Sequence, residues 1–215
     1  MWLNTDVYTL PQLILFMVAA AFWVVAYILI IKGIKKYQYV GIPVAAVCAN
    51  FAWELLWSTA FRTNMGLLFE WGYRIWFFLD VYILIHLFRY GYKQAANKVI
   101  AQKTPQFLVL GLLMWIVGIY VFTNEVYDPI GAKSAYAVNT NMSAIYIFLS
   151  LRQPNQETLT PLIAWLKMLG TALTTVFCFW VFPKETTMLY LGVVSFILDM
   201  IYIYLTYKRP KSSTT

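Results

Sequence analysis

The chain has 215 residues, of which 61% are hydrophobic, 19% aromatic and only 12% charged. A soluble domain carries about 25% charged residues, so a soluble fold would leave this chain without enough polar surface. The formal charge of +7 invites a nucleic-acid partner, but the basic residues gather at the ends of apolar runs and form no stripe interleaved with exposed aromatics, which excludes that reading.

At about 20 residues per crossing, seven apolar runs are legible as membrane spans. The first, Leu10 to Ile31, follows Asp6 rather than a basic head and reads as a retained span, not a cleaved signal. The second runs from Gly41 to Phe61, the third from Gly72 to Phe88 and the fourth from Gln106 to Phe122. The fifth, Ser134 to Leu151, has a polar first half in Asn139, Thr140, Asn141 and Ser143. The sixth covers Pro161 to Phe182 and the seventh Met188 to Tyr207, before a polar tail over 209–215 that is expected to be disordered. Cys48 and Cys178 both fall inside apolar runs and fit neither a disulfide framework nor a metal site.

Loop charge orients these spans. Lys32, Lys35, Lys36, Arg89, Lys93, Lys98, Lys103, Arg152, Lys208, Arg209 and Lys211 fall on one side, against Arg62, Arg74, Lys133 and Lys184 on the other. Eleven against four is a positive-inside bias. It predicts an all-α integral membrane protein, a seven-transmembrane helix bundle over 1–208 with its N-terminus outside and its C-terminus cytoplasmic. Lys167, inside the sixth span, is expected to snorkel to the near end. Trp2, Tyr8, Trp71 and Tyr90 read as an interfacial aromatic belt. Phe78-Leu79-Asp80-Val81-Tyr82 resembles Ile197-Leu198-Asp199-Met200-Ile201, which suggests a parallel repeat of three plus one plus three spans.

Three carboxylates lie deep in the spans: Glu54, Asp80 and Asp199. Even on the lenient insertion scale an ionised acid at mid-bilayer costs about 2.5 to 3.5 kcal/mol, so such acids must pair, protonate or line a wet cavity. At 1.5 Å per residue their depths fall at roughly 10 to 17 Å, a single layer that predicts one site. Asn50 lies on the face of Glu54, with Trp53 and Trp57 flanking it; Trp76 stands four residues before Asp80; Ser195 and Tyr202 bracket Asp199. Burial disfavours the charged form of an acid and close acids reinforce this, so at least one is expected to hold a proton at neutral pH. A dry carboxylic acid among aromatic faces can give up that proton and stabilise a passing cation.

The runs Asn50-Phe51-Ala52-Trp53-Glu54 and Trp76-Phe77-Phe78-Leu79-Asp80, with Asp199 in the last span, resemble the small integral-membrane terpene cyclases of fungal meroterpenoid and indole-diterpene pathways and their bacterial relatives. The resemblance implies a metal-free, cofactor-free enzyme that protonates a prenyl chain, often at a terminal epoxide, and closes rings through a carbocation cascade. It maps the essential acids to Glu54 and Asp199, with Asp80 in support and Asn50, Trp53, Trp57, Trp76, Ser195 and Tyr202 at the substrate. The implied partner is a lipophilic prenylated molecule drawn from membrane lipid, in a bacterial inner membrane or the endoplasmic reticulum. No DDxxD-like cluster for magnesium and diphosphate occurs. The rival reading is a small sugar or proton-coupled carrier of the PQ-loop type, suggested by seven spans, Pro11-Gln12 and Pro105-Gln106. Those pairs open the first and fourth spans, out of register with the repeat, which weighs against it.

Overall fold

A computed structural model describes residues 1–153 and 156–208, and the expectation for the tail 209–215 lies outside them. The described residues form seven α-helices and no strand: α1 (Leu10–Tyr37), α2 (Val44–Thr59), α3 (Leu67–Tyr90), α4 (Lys98–Glu125), α5 (Ala132–Arg152), α6 (Pro161–Val181) and α7 (Thr186–Tyr207), with a 3₁₀ turn at Gly91–Gln94. By length and composition α1, α4, α6 and α7 are each long and apolar enough to cross a membrane. The chain is a multi-pass membrane protein.

Local chemistry sets the helix ends. In α1, Gln12 accepts a hydrogen bond from the Thr9 amide at 2.8 Å, and Pro11 needs no amide partner in the first turn. Asn97 accepts from the Ile100 amide to start α4, and Thr160 accepts from the Ile163 amide to start α6. Several helices outrun their apolar windows. Helix α1 continues to Tyr37 through Lys35 and Lys36, α3 begins at Leu67 and α4 at Lys98, because a helix keeps its backbone bonds beyond the apolar slab and turns basic residues into the interface. Pro105 therefore does not open the fourth helix; it lies within α4.

The packing pairs carry a two-fold pattern. Helix α1 packs on α6 as α5 packs on α2, α3 packs on both α1 and α2, and α7 packs on both α5 and α6. Helix α4 stands outside these two groups and packs mainly on α2, with only 11% of its apolar window buried. Two apolar clusters fill the bundle, one around Phe16, Trp53, Trp57 and Phe177, the other around Ile34, Ile83, Tyr146 and Tyr202. Tyr8 corrects the belt expectation. It is buried, donates to Asn64 at 2.6 Å and stacks near Phe177, and burial pushes its phenol up to about 12.

Candidate active site

Between the two helix groups lies a chamber whose walls come from α1, α2, α3, α5, α6 and the turn before α5. Phe16, Trp23, Tyr27, Trp53, Tyr73, Trp76 and Tyr136 supply aromatic faces, and Asn50, Glu54, Asn139, Thr171 and Thr174 supply the polar atoms. Each wall has a local cause. Gly131 adopts φ 74° at the start of α5, where a Cβ would lie 2.7 Å from both the Trp53 and Trp57 rings, so only glycine fits the turn. Trp53 then donates its indole N–H to the Gly131 carbonyl and to Ser134, at 3.2 and 3.0 Å. Asp128 holds the same turn from below, accepting from the Lys133 and Ser134 amides and the Ser134 hydroxyl. Desolvation in this loop pushes the Asp128 carboxyl up. Trp53 stacks on Trp57 and meets Tyr73 edge-on.

Glu54 is 4% exposed and Asp80 1%. Asn50 joins them: its Nδ2 donates to Glu54 Oε1 at 3.0 Å and to Asp80 Oδ2 at 2.7 Å, and it also reaches the Tyr27 hydroxyl. Tyr27 in turn donates to Glu54 Oε1 at 3.0 Å. Two amide hydrogens thus serve three acceptors. The second oxygen of Glu54, Oε2, is buried with no hydrogen-bond partner, as are Trp76 Nε1 and Asn139 Oδ1 on the same chamber wall.

Asp199 belongs to a different group. It is fully buried, and its Oδ1 lies 2.7 Å from Lys167 Nζ, which also donates to Ser143 at 2.6 Å. Lys167 therefore does not snorkel. It is 2% exposed, and a buried ammonium is costly without a partner acid.

Of the residues expected around the substrate, Asn50, Trp53 and Trp76 face the chamber with Glu54. Asp80 sits one hydrogen bond behind, and Trp57 backs Trp53. Ser195 is buried against Thr140 at 2.8 Å, and Tyr202 packs on Tyr146 with ring centroids 4.8 Å apart. Both lie behind the wall, as does Asp199. The polar first half of the fifth span has its reason here: Asn139 lines the chamber, Thr140 bonds Ser195 and Ser143 bonds Lys167. Trp23, Tyr27 and Tyr73 escape sequence reasoning because aromatics in an apolar helix carry no directional signal. Thr171 and Thr174 escape it as small hydroxyls that a helix backbone satisfies.

Comparison with known proteins places the chain in a family. The description Pyr4-like transmembrane terpene cyclases matches residues 6–209, and the chain belongs to that family. It is 28% identical over 107 residues to the Pyr4-family terpene cyclase mfmH of Annulohypoxylon moriforme, covering 49% of this chain and 43% of that one. It is 25% identical over 170 residues to the terpene cyclase macJ of Penicillium terrestre, covering 76% and 64%. It is also 25% identical over 112 residues to the terpene cyclase spyD of Aspergillus fumigatus, covering 52% and 47%. The matched segments thus span less than two thirds of these relatives' own lengths. No solved structure matches the chain.

Proposed function

We propose that the protein is a proton-initiated terpene cyclase whose seven helices cross the membrane, N-terminus outside, and that Glu54 is its acid. The observation that carries this reading is the environment of Glu54. One oxygen is fixed by Tyr27 and Asn50, while the other has no partner and the residue lines an aromatic chamber. Among the described residues no lysine or arginine forms an ion pair with Glu54 or Asp80. Two linked acids without a cation favour sharing a proton over carrying two charges.

The substrate is a lipophilic prenylated molecule with a terminal epoxide, entering from membrane lipid. Glu54 gives its proton to the epoxide oxygen, the C–O bond at the more substituted carbon breaks, and the neighbouring alkene closes onto that carbon. The cation migrates by further closures along the chain, faced by Trp23, Trp53, Tyr73 and Trp76, each such face contributing about 0.5 to 2 kcal/mol. Loss of a C–H proton to the Glu54 carboxylate ends the cascade and restores the acid, so the product is an isomer of the substrate. Asp80 supports Glu54 both by direct carboxyl contact and through Asn50.

The test uses membranes containing the full chain and a synthetic farnesylated arene bearing a terminal epoxide. The wild type should yield a cyclic isomer of equal mass, and Glu54→Gln should lose at least about 100-fold in turnover, the usual worth of a general acid, with its thermal midpoint kept. A well-folded Glu54→Gln protein that still cyclises would overturn the role.

A further inference from the structure

Among the described residues Lys167 is the one basic side chain that is buried. Its position is close to the chamber without being on its wall. Nζ stands 5.7 Å from the centroid of the Trp23 ring, which lines the chamber. Thr171, one turn further along α6, lines the chamber too, and Ser143, which Lys167 touches, donates back to the carbonyl of chamber residue Asn139. The ammonium therefore sits beneath the floor, with the Trp23 indole beside it.

A fixed cation in that place opposes any reaction that builds positive charge in the chamber, because Coulomb repulsion in a desolvated bundle is weakly screened. Asp199 removes the opposition: its Oδ1 is 2.7 Å from Nζ, so the pair presents no net charge to the chamber. Asp199 itself is not on the wall, and its second oxygen is buried without a partner. We infer that Asp199 is a positioning residue that acts through Lys167, as the counter-ion that keeps a buried cation from raising the barrier to carbocation chemistry, and not as a proton donor or acceptor to the substrate. The inference rests on the cyclase reading of the Glu54 chamber.

Rescue distinguishes the two roles. Asp199→Asn leaves the lysine uncompensated, while Lys167→Met combined with Asp199→Asn removes both charges, a change buried ion pairs commonly tolerate far better than loss of one partner. The full-length wild type, the single variant and the double variant are purified in detergent, and their thermal midpoints and turnover of the farnesylated arene epoxide are measured. In Asp199→Asn the midpoint should fall by about 5 °C or more, and kcat should fall about tenfold or more. KM should stay within about twofold, since the penalty falls on the charged transition state. The double variant should recover most of both losses.

A double variant that folds yet turns over no faster than Asp199→Asn overturns the inference, because a proton-transfer role cannot be restored by removing a lysine. So does a double variant that folds less well than the single, and so does an Asp199→Asn protein with wild-type kcat. If the wild type itself does not convert the epoxide, the cyclase reading fails on that probe, while the order of midpoints still tests the charge compensation.

Discussion

Lys167 stands in α6 where Asn50 stands in α2. Asn50 is six residues beyond Val44, the first of α2, and Lys167 six beyond Pro161, the first of α6. Each reaches an aspartate on the next helix at 2.7 Å, Asp80 and Asp199, and both aspartates lie thirteen residues beyond their helix starts at Leu67 and Thr186. Each also bonds a hydroxyl from the remaining helix of its group, Tyr27 in α1 and Ser143 in α5. The packing pairs obey the same exchange of α1, α2 and α3 for α5, α6 and α7. A polar triad thus occurs twice, once as a neutral amide bridging two acids and once as an ammonium neutralising a single acid. The chamber lies between them, and its chemistry is asymmetric because Glu54 has Thr171 as its counterpart, one turn on from Lys167.

The shared amide makes Asn50 the most sensitive position around Glu54. Asn50→Leu strips both hydrogen bonds to the acids, so that Glu54 Oε1 keeps only the Tyr27 donor and Asp80 Oδ2 loses its amide donor, a loss of about 1 to 3 kcal/mol for an orphaned buried group. Turnover should drop about 10- to 100-fold, with a lower thermal midpoint. Asn50→Gln, which keeps the amide on a longer stem, should be less impaired. Comparing the kcat of the two variants checks this, and equal kcat in both would show that the bridge is dispensable.

Gly170 sets the position of a chamber wall. A Cβ there would lie 2.4 Å from Trp23 Cδ1 and 2.7 Å from its Nε1, with the Ala19 carbonyl at 3.1 Å closing the other escape. Gly170→Ala should therefore drive the indole into the chamber, at an overpacking cost of about 1 to 3 kcal/mol. KM for a bulky prenylarene epoxide should rise more than KM for a short-chain one, and Trp23→Phe in the same protein should narrow that gap. Initial rates on the two substrates measure it.

Much of this arrangement could be read before any coordinates. Acids and an amide stand out in apolar helices because burying them is costly, so Glu54, Asp80 and Asn50 mark a candidate site and the echo around Asp80 and Asp199 marks the repeat, whereas Asp199, expected in one site with the other two acids, pairs with Lys167 instead. Two matters were hidden. Lys167 lies only six residues from the start of α6, a depth at which snorkelling and internal pairing give the same sequence, and only the packing of α7 against α6 decides. The chamber's aromatic lining could not be separated from lipid-facing aromatics: Trp76 lines the site while Phe78, two residues on, is 67% exposed. In a soluble bundle polar residues mark the outer face, but a membrane helix is apolar on both sides.

Asp128 ties the turn before α5 to pH. Its carboxyl is pushed up from 3.8 by desolvation, against the pull of three hydrogen bonds and Lys133. The folded protein therefore holds this proton more tightly than the unfolded chain, so the stabilisation is complete below the ordinary aspartate value and is lost as the pH rises through the higher folded value. Asp128→Asn cannot ionise. Its thermal midpoint relative to wild type should rise as the pH is raised from about 4 towards neutrality. Asp128→Ala, which removes every acceptor for the Lys133 and Ser134 amides, should be destabilised across the range, by about 1 to 3 kcal/mol. Differential scanning in detergent at several pH values separates the two, and parallel curves for wild type and Asp128→Asn would count against a shifted carboxyl.

Asn139 and Trp76 bear on what the chamber accepts. Asn139 spends its amide on Thr171 at 3.3 Å, leaving Oδ1 buried with no donor, and Trp76 Nε1 is buried with no acceptor. An acceptor and a donor buried without partners on an otherwise aromatic wall gain the missing bonds from a guest that bears complementary groups and turns the two side chains towards it. A purely hydrocarbon guest leaves both unmet. A prenyl chain attached to a hydroxylated aromatic ring supplies an O–H for Asn139 and an oxygen for Trp76. Discrimination of this kind is strong because the penalty falls on the wrong ligand. Replacing Asn139 by Leu should raise KM for a prenylated phenol epoxide about tenfold while leaving that of the deoxygenated analogue nearly unchanged. Measuring both substrates on the wild type and on Asn139→Leu gives a double comparison in which folding defects cancel, and an equal rise in both KM values would mean that Asn139 only shapes the wall.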